Sequence, residues 1–274
     1  MRIWDLLQQG TALLEQANVP NYAADAASLL TERLQIPPLT LFTHYSDTAD
    51  DTLCKQYLED IRCRALRIPL QHIVGKAYFY GNTFLVNQHV LIPRQETELL
   101  CQEAIRIIGN APWNVLDLCT GSGCIGITIA EHCKNANVSA IDISADALSL
   151  ARENAQRLHQ KVSFVQNDLL EGIDDIYDAI LSNPPYIPRG ELPHLQAEVQ
   201  HDPMLALDGG TDGLELIRRI QQYCKKNLKK DGLLLMEIGH NQAAKVMRGM
   251  QDFYDTKVIP DLYKIDRFIF GRKK

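Results

Sequence analysis

One stretch of the sequence has the pattern of a buried strand, a glycine-rich turn and the start of a helix, and this order constrains the fold most. The apolar run 114–118 leads into the turn at residues 119–126. Gly121, Gly123 and Gly126 match the spacing G-x-G-x-x-G, which several kinds of nucleotide-binding sheet share. The spacing is weak evidence alone, so the neighbouring strands decide what it means.

Two further apolar runs end in residues suited to an adenosine moiety. The run 137–141 ends in Asp142, about 20 residues after the glycines, where a carboxylate can accept hydrogen bonds from both ribose hydroxyls. The run 162–165 is followed by Asp168 and Leu169, which we place against an adenine ring. Because parallel strands end at the same edge of a sheet, these three strand ends are expected to line one crevice.

A fourth apolar run, 178–181, leads into Asn183-Pro184-Pro185-Tyr186. The two prolines remove two backbone donors and leave nearby carbonyls free to accept hydrogen bonds. The Asn183 side-chain oxygen and the Pro184 carbonyl can accept the two N–H groups of a substrate –NH2, while Tyr186 offers a flat face for stacking. A proline-rich loop that only closes a strand is the competing interpretation, and the upstream glycine turn favours the functional one.

Asp117 lies two residues before the turn and has two interpretations. A carboxylate here disfavours a pyrophosphate and can pair with the α-ammonium group of a methionine tail. It can equally be a structural residue that caps the loop. Spacing alone leaves the two close, and Asn183 favours the first.

Several segments together resemble the class I methyltransferases that modify the N5 atom of a glutamine in peptide chain release factors, the PrmC/HemK family. Besides the glycine turn and residues 183–186, they are residues 69–75, 79–81, 90–98, 237–240 and 267–272. The resemblance covers essentially the whole chain. Its segment Ile-Pro-Arg-x-x-Thr-Glu, residues 92–98, is far more specific than the glycines.

The resemblance implies methyl transfer from S-adenosylmethionine to the glutamine of the Gly-Gly-Gln motif in class I release factors, in support of translation termination, with S-adenosylhomocysteine as product. It implies catalytic roles for Asn183, Pro184 and Tyr186, with Pro185 as a further substrate contact. The implied donor-binding residues are Arg94, Asp117, Cys119, Thr120, Gly121, Ser122, Gly123, Asp142, Asp168, Leu169 and Asn183.

The expected fold is α/β, a Rossmann-like seven-stranded class I methyltransferase domain with a small N-terminal helical bundle joined to it by a β-hairpin. Apolar residues at helical spacing predict helices in residues 1–70, and the resemblance implies that this bundle docks the substrate. A hairpin signal at Gly81-Asn82 places a linker at residues 71–91, and residues 92–274 form the methyltransferase domain. Little helix separates the closing runs 256–260 and 267–271, so they are expected to add antiparallel strands to the parallel sheet.

Three residues depart from the family's usual pattern: Cys119 replaces glycine, His72 replaces tyrosine and Gln95 replaces proline. The change at Cys119 matters most for the backbone, because a residue with a Cβ cannot cheaply adopt a positive φ. Cys119 therefore either has an ordinary negative φ or is strained.

Composition limits the location and partners of the chain. Its formal net charge of −6 argues against a broad nucleic-acid surface. It has no apolar run of the roughly 18 residues that a membrane span needs, and its start lacks a signal peptide. The seven cysteines include no C-x-x-C pair and the histidines lack metal-site spacing, so we expect no metal and no disulfide framework. These features predict a cytoplasmic enzyme without a membrane or nucleic-acid partner, and the resemblance implies a release factor as its protein partner.

Two other functions remain alternatives. A nucleic-acid adenine methyltransferase could stack a flipped adenine on Tyr186. A dehydrogenase could bind a dinucleotide at the glycine turn.

Four charged features have structural interpretations. Arg94 and Glu96 form either a structural ion pair or part of a closure over the donor, and residues 225–230 form a solvated helix end. Glu198 and Asp202 follow the Asn183 loop and either brace a lid or are solvated loop acids, and we expect the second.

Overall fold

The computed structural model describes all residues from 1 to 274, and they form two compact units. The helical unit contains residues 1–75 and 196–201, and the sheet unit contains residues 76–195 and 202–274. This division differs from the expected ranges 1–70, 71–91 and 92–274, because the hairpin belongs to the sheet unit and a late segment belongs to the helical unit. None of the helices combines the length and apolar character needed to cross a membrane.

The helical unit is built from α1 (Ile3–Gln16), α2 (Tyr22–Leu34), α3 (Asp51–Ala65) and the short α4 (Leu70–Val74), with 3-10 turns at Pro38–His44 and Val199–His201. Its core includes Leu6, Leu30, Tyr57 and Ile61, none of which is exposed. These side chains come from successive helices at helical spacing, so the predicted bundle is confirmed.

Residues 196–201 join the helical unit mainly through charge. Arg67 donates two hydrogen bonds to Glu198, at 2.6 and 2.7 Å, and Arg64 donates one at 2.9 Å. Arg64 also binds Asp25 at 2.7 Å and is only 5% exposed. The expectation that Glu198 is a solvated loop acid is therefore wrong. The hydrogen bonds from Arg67 stabilise its charged form and lower its pKa to about 2.

The sheet unit begins with the hairpin β1 (Lys76–Phe79) and β2 (Asn82–Leu85). The sheet itself contains β3 (Asn114–Leu118), β4 (Asn137–Asp142), β5 (Ser163–Gln166), β6 (Tyr177–Ser182), β7 (Leu228–Glu237), β8 (Phe253–Pro260) and β9 (Asp266–Lys273). Their spatial order is β5-β4-β3-β6-β7-β9-β8. Strands β5, β4, β3, β6 and β7 run parallel to one another, and β9 is antiparallel to both β7 and β8. This arrangement confirms the expected sheet.

Helices cover both faces of this sheet. The helices of the sheet unit are α5 (Gln95–Ile108), α6 (Cys124–His132), α7 (Ala145–Arg157), α8 (Met204–Leu207), α9 (Glu215–Asn227) and α10 (Ala243–Arg248), and of these α5, α6, α7, α9 and α10 pack on its strands. Val115 of β3 belongs to the apolar cluster with α5 and α6, whereas its neighbour Leu116 belongs to the cluster with α9 and α10. The alternation follows from the two-residue period of a strand and explains why β3 is apolar on both faces.

The interpretation of residues 225–230 as one helix end is only partly right. Helix α9 ends at Asn227, whose side chain donates to the Ile173 and Asp175 carbonyls at 2.9 Å. Leu228 is 1% exposed and starts β7, so Lys229 and Lys230 belong to a strand.

The ion pairs of Glu198 make the stability of the chain sensitive to acid. Because its folded pKa is depressed, its contribution is fully present above the ordinary value of 4.5 and is lost as the pH falls toward about 2. Glu198→Gln should flatten the pH dependence of the free energy of unfolding in this window, as measured by urea titration followed through helical circular dichroism. Glu171→Gln, at an exposed position, is the control and should leave the slope unchanged. An equal change in slope for both variants would contradict the assignment.

Candidate active site

A cavity of about 410 Å³ lies in the sheet unit at the carboxyl ends of β3, β4 and β6. The chain leaves β3 toward β4 on one side, while β6 pairs with β3 on the other, so the cavity occupies the point where the strand order reverses. Open α/β sheets bind ligands at this point. The predicted site residues that line it are Arg94, Cys119, Thr120, Gly121, Ser122, Asp142, Asp168, Leu169, Asn183 and Pro185.

Four predicted site residues lie outside this lining. Asp117 and Pro184 are buried, and Tyr186 is partly buried behind the loop. Gly123 lies where the turn enters α6, with a φ of +83°. Any residue with a Cβ would be strained at this φ, and its Cβ would also lie 3.2 Å from Ala151 Cβ, so the position favours glycine.

Asp117 holds the glycine turn together from beneath. Its Oδ2 atom accepts hydrogen bonds from Thr120 Oγ1 at 2.6 Å and from the Gly126 N–H at 2.9 Å. Burial raises the pKa of this carboxyl to about 7. Its Oδ1 atom is buried and accepts no hydrogen bond. Asp117 thus has the contacts of a loop-capping residue, and its pairing with an ammonium group stays a prediction for which Oδ1 is the remaining acceptor.

Asp142 ends β4 beside the same turn. Its Oδ2 atom accepts the Gly121 N–H at 2.8 Å and its Oδ1 atom accepts the Ser144 N–H at 2.9 Å. Burial raises the pKa of Asp142, and the hydrogen bonds from the Ser144 and Gly121 amides oppose the rise. Since each carboxylate oxygen has two lone pairs, both retain acceptor capacity toward the cavity.

Asp168 and Leu169, which follow β5, lie in another part of the cavity wall. Leu169, with a φ of +51°, is 4% exposed, and Asp168 is held by Arg219 at 3.0 Å. Sequence reasoning missed several lining residues from elsewhere in the chain, namely Val90, Pro93, Leu205, Leu216 and Arg219. They precede α5 or follow Pro203, and no strand-end pattern marks them.

Asn183 stands directly after β6 and is tied to two residues that sequence reasoning gave no role. Its Nδ2 atom donates to Thr97 Oγ1 at 3.2 Å, and the Thr97 hydroxyl donates to Glu237 Oε2 at 2.7 Å. The Tyr186 hydroxyl donates to Glu237 Oε1 at 3.2 Å. Burial raises the pKa of Glu237 to about 7 and also raises the pKa of Tyr186.

The backbone of the loop is fixed from the other side. Gln242 donates its Nε2 to the Tyr186 carbonyl at 2.7 Å and accepts the Gly239 N–H at 2.8 Å. A Cβ on Gly213 would lie 2.4 Å from the same carbonyl oxygen. The Tyr186 ring is thus held by Glu237 and its backbone by Gln242, while its stacking on a substrate stays a prediction.

Arg94 pairs with Asp202 and not with Glu96. Its Nη2 atom lies 2.6 Å from Asp202 Oδ2, and the Asp202 side chain has no exposed surface. The expected Arg94–Glu96 ion pair is therefore wrong, and so is the expectation that Asp202 is a solvated loop acid. A role for Arg94 in closing over the donor stays a prediction. The Arg94–Asp202 pair fixes a charged group at the cavity wall, because Arg94 lines the cavity and its carboxylate partner is fully buried.

Known proteins resemble this chain over nearly its whole length. Residues 5–75 match the PrmC N-terminal domain and residues 97–200 match the methyltransferase small domain. A release factor glutamine methyltransferase of Koribacter versatilis is 40% identical over 95% of this chain and 94% of its own length. One of Clostridium acetobutylicum is 35% identical over 99% and 98%.

A solved structure also shares the fold. The hMettl16 catalytic domain, determined in complex with the MAT2A 3′UTR hairpin 6, has a TM-score of 0.57 to this chain. It is 16% identical and covers 82% of each chain. At this identity the likeness concerns the α/β sheet with its helices and carries no statement about the ligand.

Cys119 has a φ of +59°, so the strained alternative for this residue is the one observed. A left-handed residue with a Cβ costs about 1–2 kcal/mol, which glycine avoids, although glycine loses more conformational entropy on folding. We expect Cys119→Gly to be more stable than Cys119→Ala by about 1 kcal/mol in chemical denaturation, since both remove the thiol and only one removes the Cβ. Equal stability, or a more stable alanine variant, would show that the turn is not strained.

Proposed function

Because this chain belongs to the release factor glutamine methyltransferases, we propose that it transfers a methyl group from S-adenosylmethionine to the side-chain nitrogen of a glutamine in a release factor. The target is the glutamine of the Gly-Gly-Gln motif in class I factors, and S-adenosylhomocysteine is the second product. The observation that carries the proposal is the Asn183 amide, placed on the cavity wall with an oxygen that no group of the chain binds.

The residues around the cavity suit the proposed donor. Asp142 offers two oriented carboxylate oxygens for ribose hydroxyls, and Leu169 offers an apolar surface for a base. The orphaned Oδ1 of Asp117 is an acceptor that an ammonium group would satisfy. When bound, S-adenosylmethionine supplies an electrophilic methyl group on a sulfonium.

Asn183 would act by orienting the substrate nitrogen. An amide nitrogen is a poor nucleophile because its lone pair is delocalised into the carbonyl. The Asn183 Oδ1 atom and the Pro184 carbonyl would accept its two N–H groups, turn the nitrogen toward the methyl carbon and stabilise the positive charge that develops on it. Attack then needs no base beforehand, and one amide proton leaves to solvent after the new N–C bond has formed.

The helical unit is the proposed docking surface for the release factor. It matches the PrmC N-terminal domain, and its 3-10 turn exposes Leu39 and Phe42, which are 86% and 66% exposed. We also propose that the chain acts in the cytoplasm, where a translation factor would be its substrate, and that it uses no membrane or nucleic-acid partner. The adenine methyltransferase and dehydrogenase alternatives are not favoured, because the relatives named above match the chain from end to end.

The direct test is mass spectrometry of a purified class I release factor incubated with the chain and S-adenosylmethionine. One added methyl group on the Gly-Gly-Gln glutamine is expected. A release factor in which that glutamine is replaced by asparagine is the matched control. Unmodified factor after full incubation, or equal methylation of the control at another site, would reject the proposal.

Asp142→Ala should weaken S-adenosylmethionine binding. A hydrogen bond to a charged group contributes about 1.5–3 kcal/mol, so calorimetry should show a loss of roughly 10- to 100-fold in affinity. Glu153→Ala, at an exposed position on α7 outside the cavity lining, is the control. Unchanged affinity in Asp142→Ala would exclude Asp142 as the ribose ligand.

Asn183→Ala should lower turnover by roughly 10²–10³, as expected for a lost transition-state hydrogen bond, and donor affinity should fall less. Asn183→Asp retains two acceptors but adds a charge that also attracts the sulfonium in the ground state, so partial activity is expected. Turnover close to wild type in Asn183→Ala, measured on a release factor, would refute the role of Asn183.

A further inference from the structure

We infer that Thr97 and Glu237 are positioning residues that fix the orientation of the Asn183 side-chain amide, so that its oxygen and not its NH2 group is left for the substrate. This inference rests on the proposed function. The inference adds one requirement to that function: the side-chain oxygen of Asn183 has to face the substrate. An amide turned by 180° fits the same space with its NH2 group and its oxygen exchanged.

The selection follows from the direction of the hydrogen bonds. An ionised carboxylate can only accept, so the Thr97 and Tyr186 hydroxyls both donate to Glu237. Because the Thr97 hydroxyl donates its proton to Glu237, its oxygen presents only lone pairs to Asn183. Only the NH2 group of Asn183 can satisfy them, and the observed contact is Nδ2 to Oγ1 at 3.2 Å. A turned amide would bring two acceptors together.

The result at the cavity is a fixed acceptor. Asn183 Oδ1 accepts no hydrogen bond from the chain, and Asn183 and Thr97 both line the cavity. A substrate –NH2 group has two donors and would be repelled by a second NH2 group in the same place. The orientation of Asn183 therefore decides whether the loop attracts or repels the substrate nitrogen.

The burial of this network makes the orientation persistent. Thr97 and Glu237 are each 2% exposed, so water does not compete for their hydrogen bonds. Glu237 forms no direct ion pair; the neighbouring Arg267 donates to Asp261 at 3.1 Å. A buried carboxylate held by hydroxyls is costly, and the polarity that it imposes on Asn183 gives a physical reason for its presence.

Several other groups act on Glu237, and they define its pH response. Arg267 on β9 favours its charged form and Glu96 on α5 disfavours it. The thiols of Cys101 and Cys124 lie nearby, and burial raises the pKa of each, so they stay neutral. The pKa of Glu237 itself is raised to about 7 by burial. Protonated Glu237 could donate to Thr97, which would free the Thr97 proton and remove the preference at Asn183.

The first test compares Thr97→Val with Thr97→Ser, using purified full-length chain and a release factor. Valine keeps the shape and removes the hydroxyl, so kcat should fall roughly 10-fold, the equivalent of about one hydrogen bond, with donor affinity unchanged. Serine keeps the hydroxyl and should restore most of kcat. Thr128→Val is the matched control, because Thr128 is also fully buried but its hydroxyl has no partner.

A second measurement covers the case in which Thr97→Val does not fold. For wild type, kcat should fall as the pH falls through about 7. The orientation of Asn183 requires the charged form of Glu237, and this form is lost at lower pH. Glu237→Gln should lower kcat and remove this acid limb, since glutamine does not titrate. Donor affinity should again be unchanged.

The outcomes separate this inference from the proposed function. If wild type methylates the release factor but Thr97→Val keeps full kcat, or Glu237→Gln keeps the acid limb, the positioning role is wrong and the proposed function stands. If wild type does not methylate the factor, the proposed function fails first. A loss of kcat in Thr128→Val equal to that in Thr97→Val would also overturn the positioning role.

Discussion

Two buried carboxylates without a direct cationic partner organise the carboxyl edge of the sheet. Asp117 binds a hydroxyl and a backbone amide and thereby closes the glycine turn, and Glu237 binds two hydroxyls and thereby orders the loop after β6. A buried charge that is not neutralised has to be satisfied by dipoles, so the surrounding donors are forced into one arrangement. The two halves of the site thus depend on the same kind of interaction.

The strand ends around the cavity have uncommon backbone conformations. Cys119 and Leu169 both have positive φ although each carries a Cβ, and both line the cavity. Such residues are retained when the surrounding structure determines them, and they concentrate at ligand sites. Here they turn the chain sharply after β3 and β5, which brings side chains from different strands to one wall.

Local patterns predicted most of the fold, whereas partners distant in sequence decided the rest. The strands, the bundle and the antiparallel closure followed from periodicity, and the cavity lies where the strand ends predicted it. Thr97 and Glu237 stood in quoted motifs, but Thr97 lies 86 residues from Asn183 and 140 from Glu237, and such distant contacts leave no periodic signal. The predictions for Asp202 and Glu198 were wrong for the same reason. Each is an acidic loop residue whose arginine partner is distant in sequence, so the sequence pattern alone indicated a solvated carboxylate. For Cys119 the sequence left a negative φ and a strained positive φ as alternatives, because the residue type alone does not fix φ.

The assignment of residues 196–201 to the helical unit has a consequence for biosynthesis. Domains generally fold as they leave the ribosome, with the N-terminal part first. The helical unit begins at residue 1, but Arg64 and Arg67 do not meet Glu198 until the first 198 residues have been translated. During that interval the nascent bundle carries two guanidinium groups without this carboxylate. Completion of the first-made unit therefore waits for a segment that the ribosome adds only after four strands of the sheet.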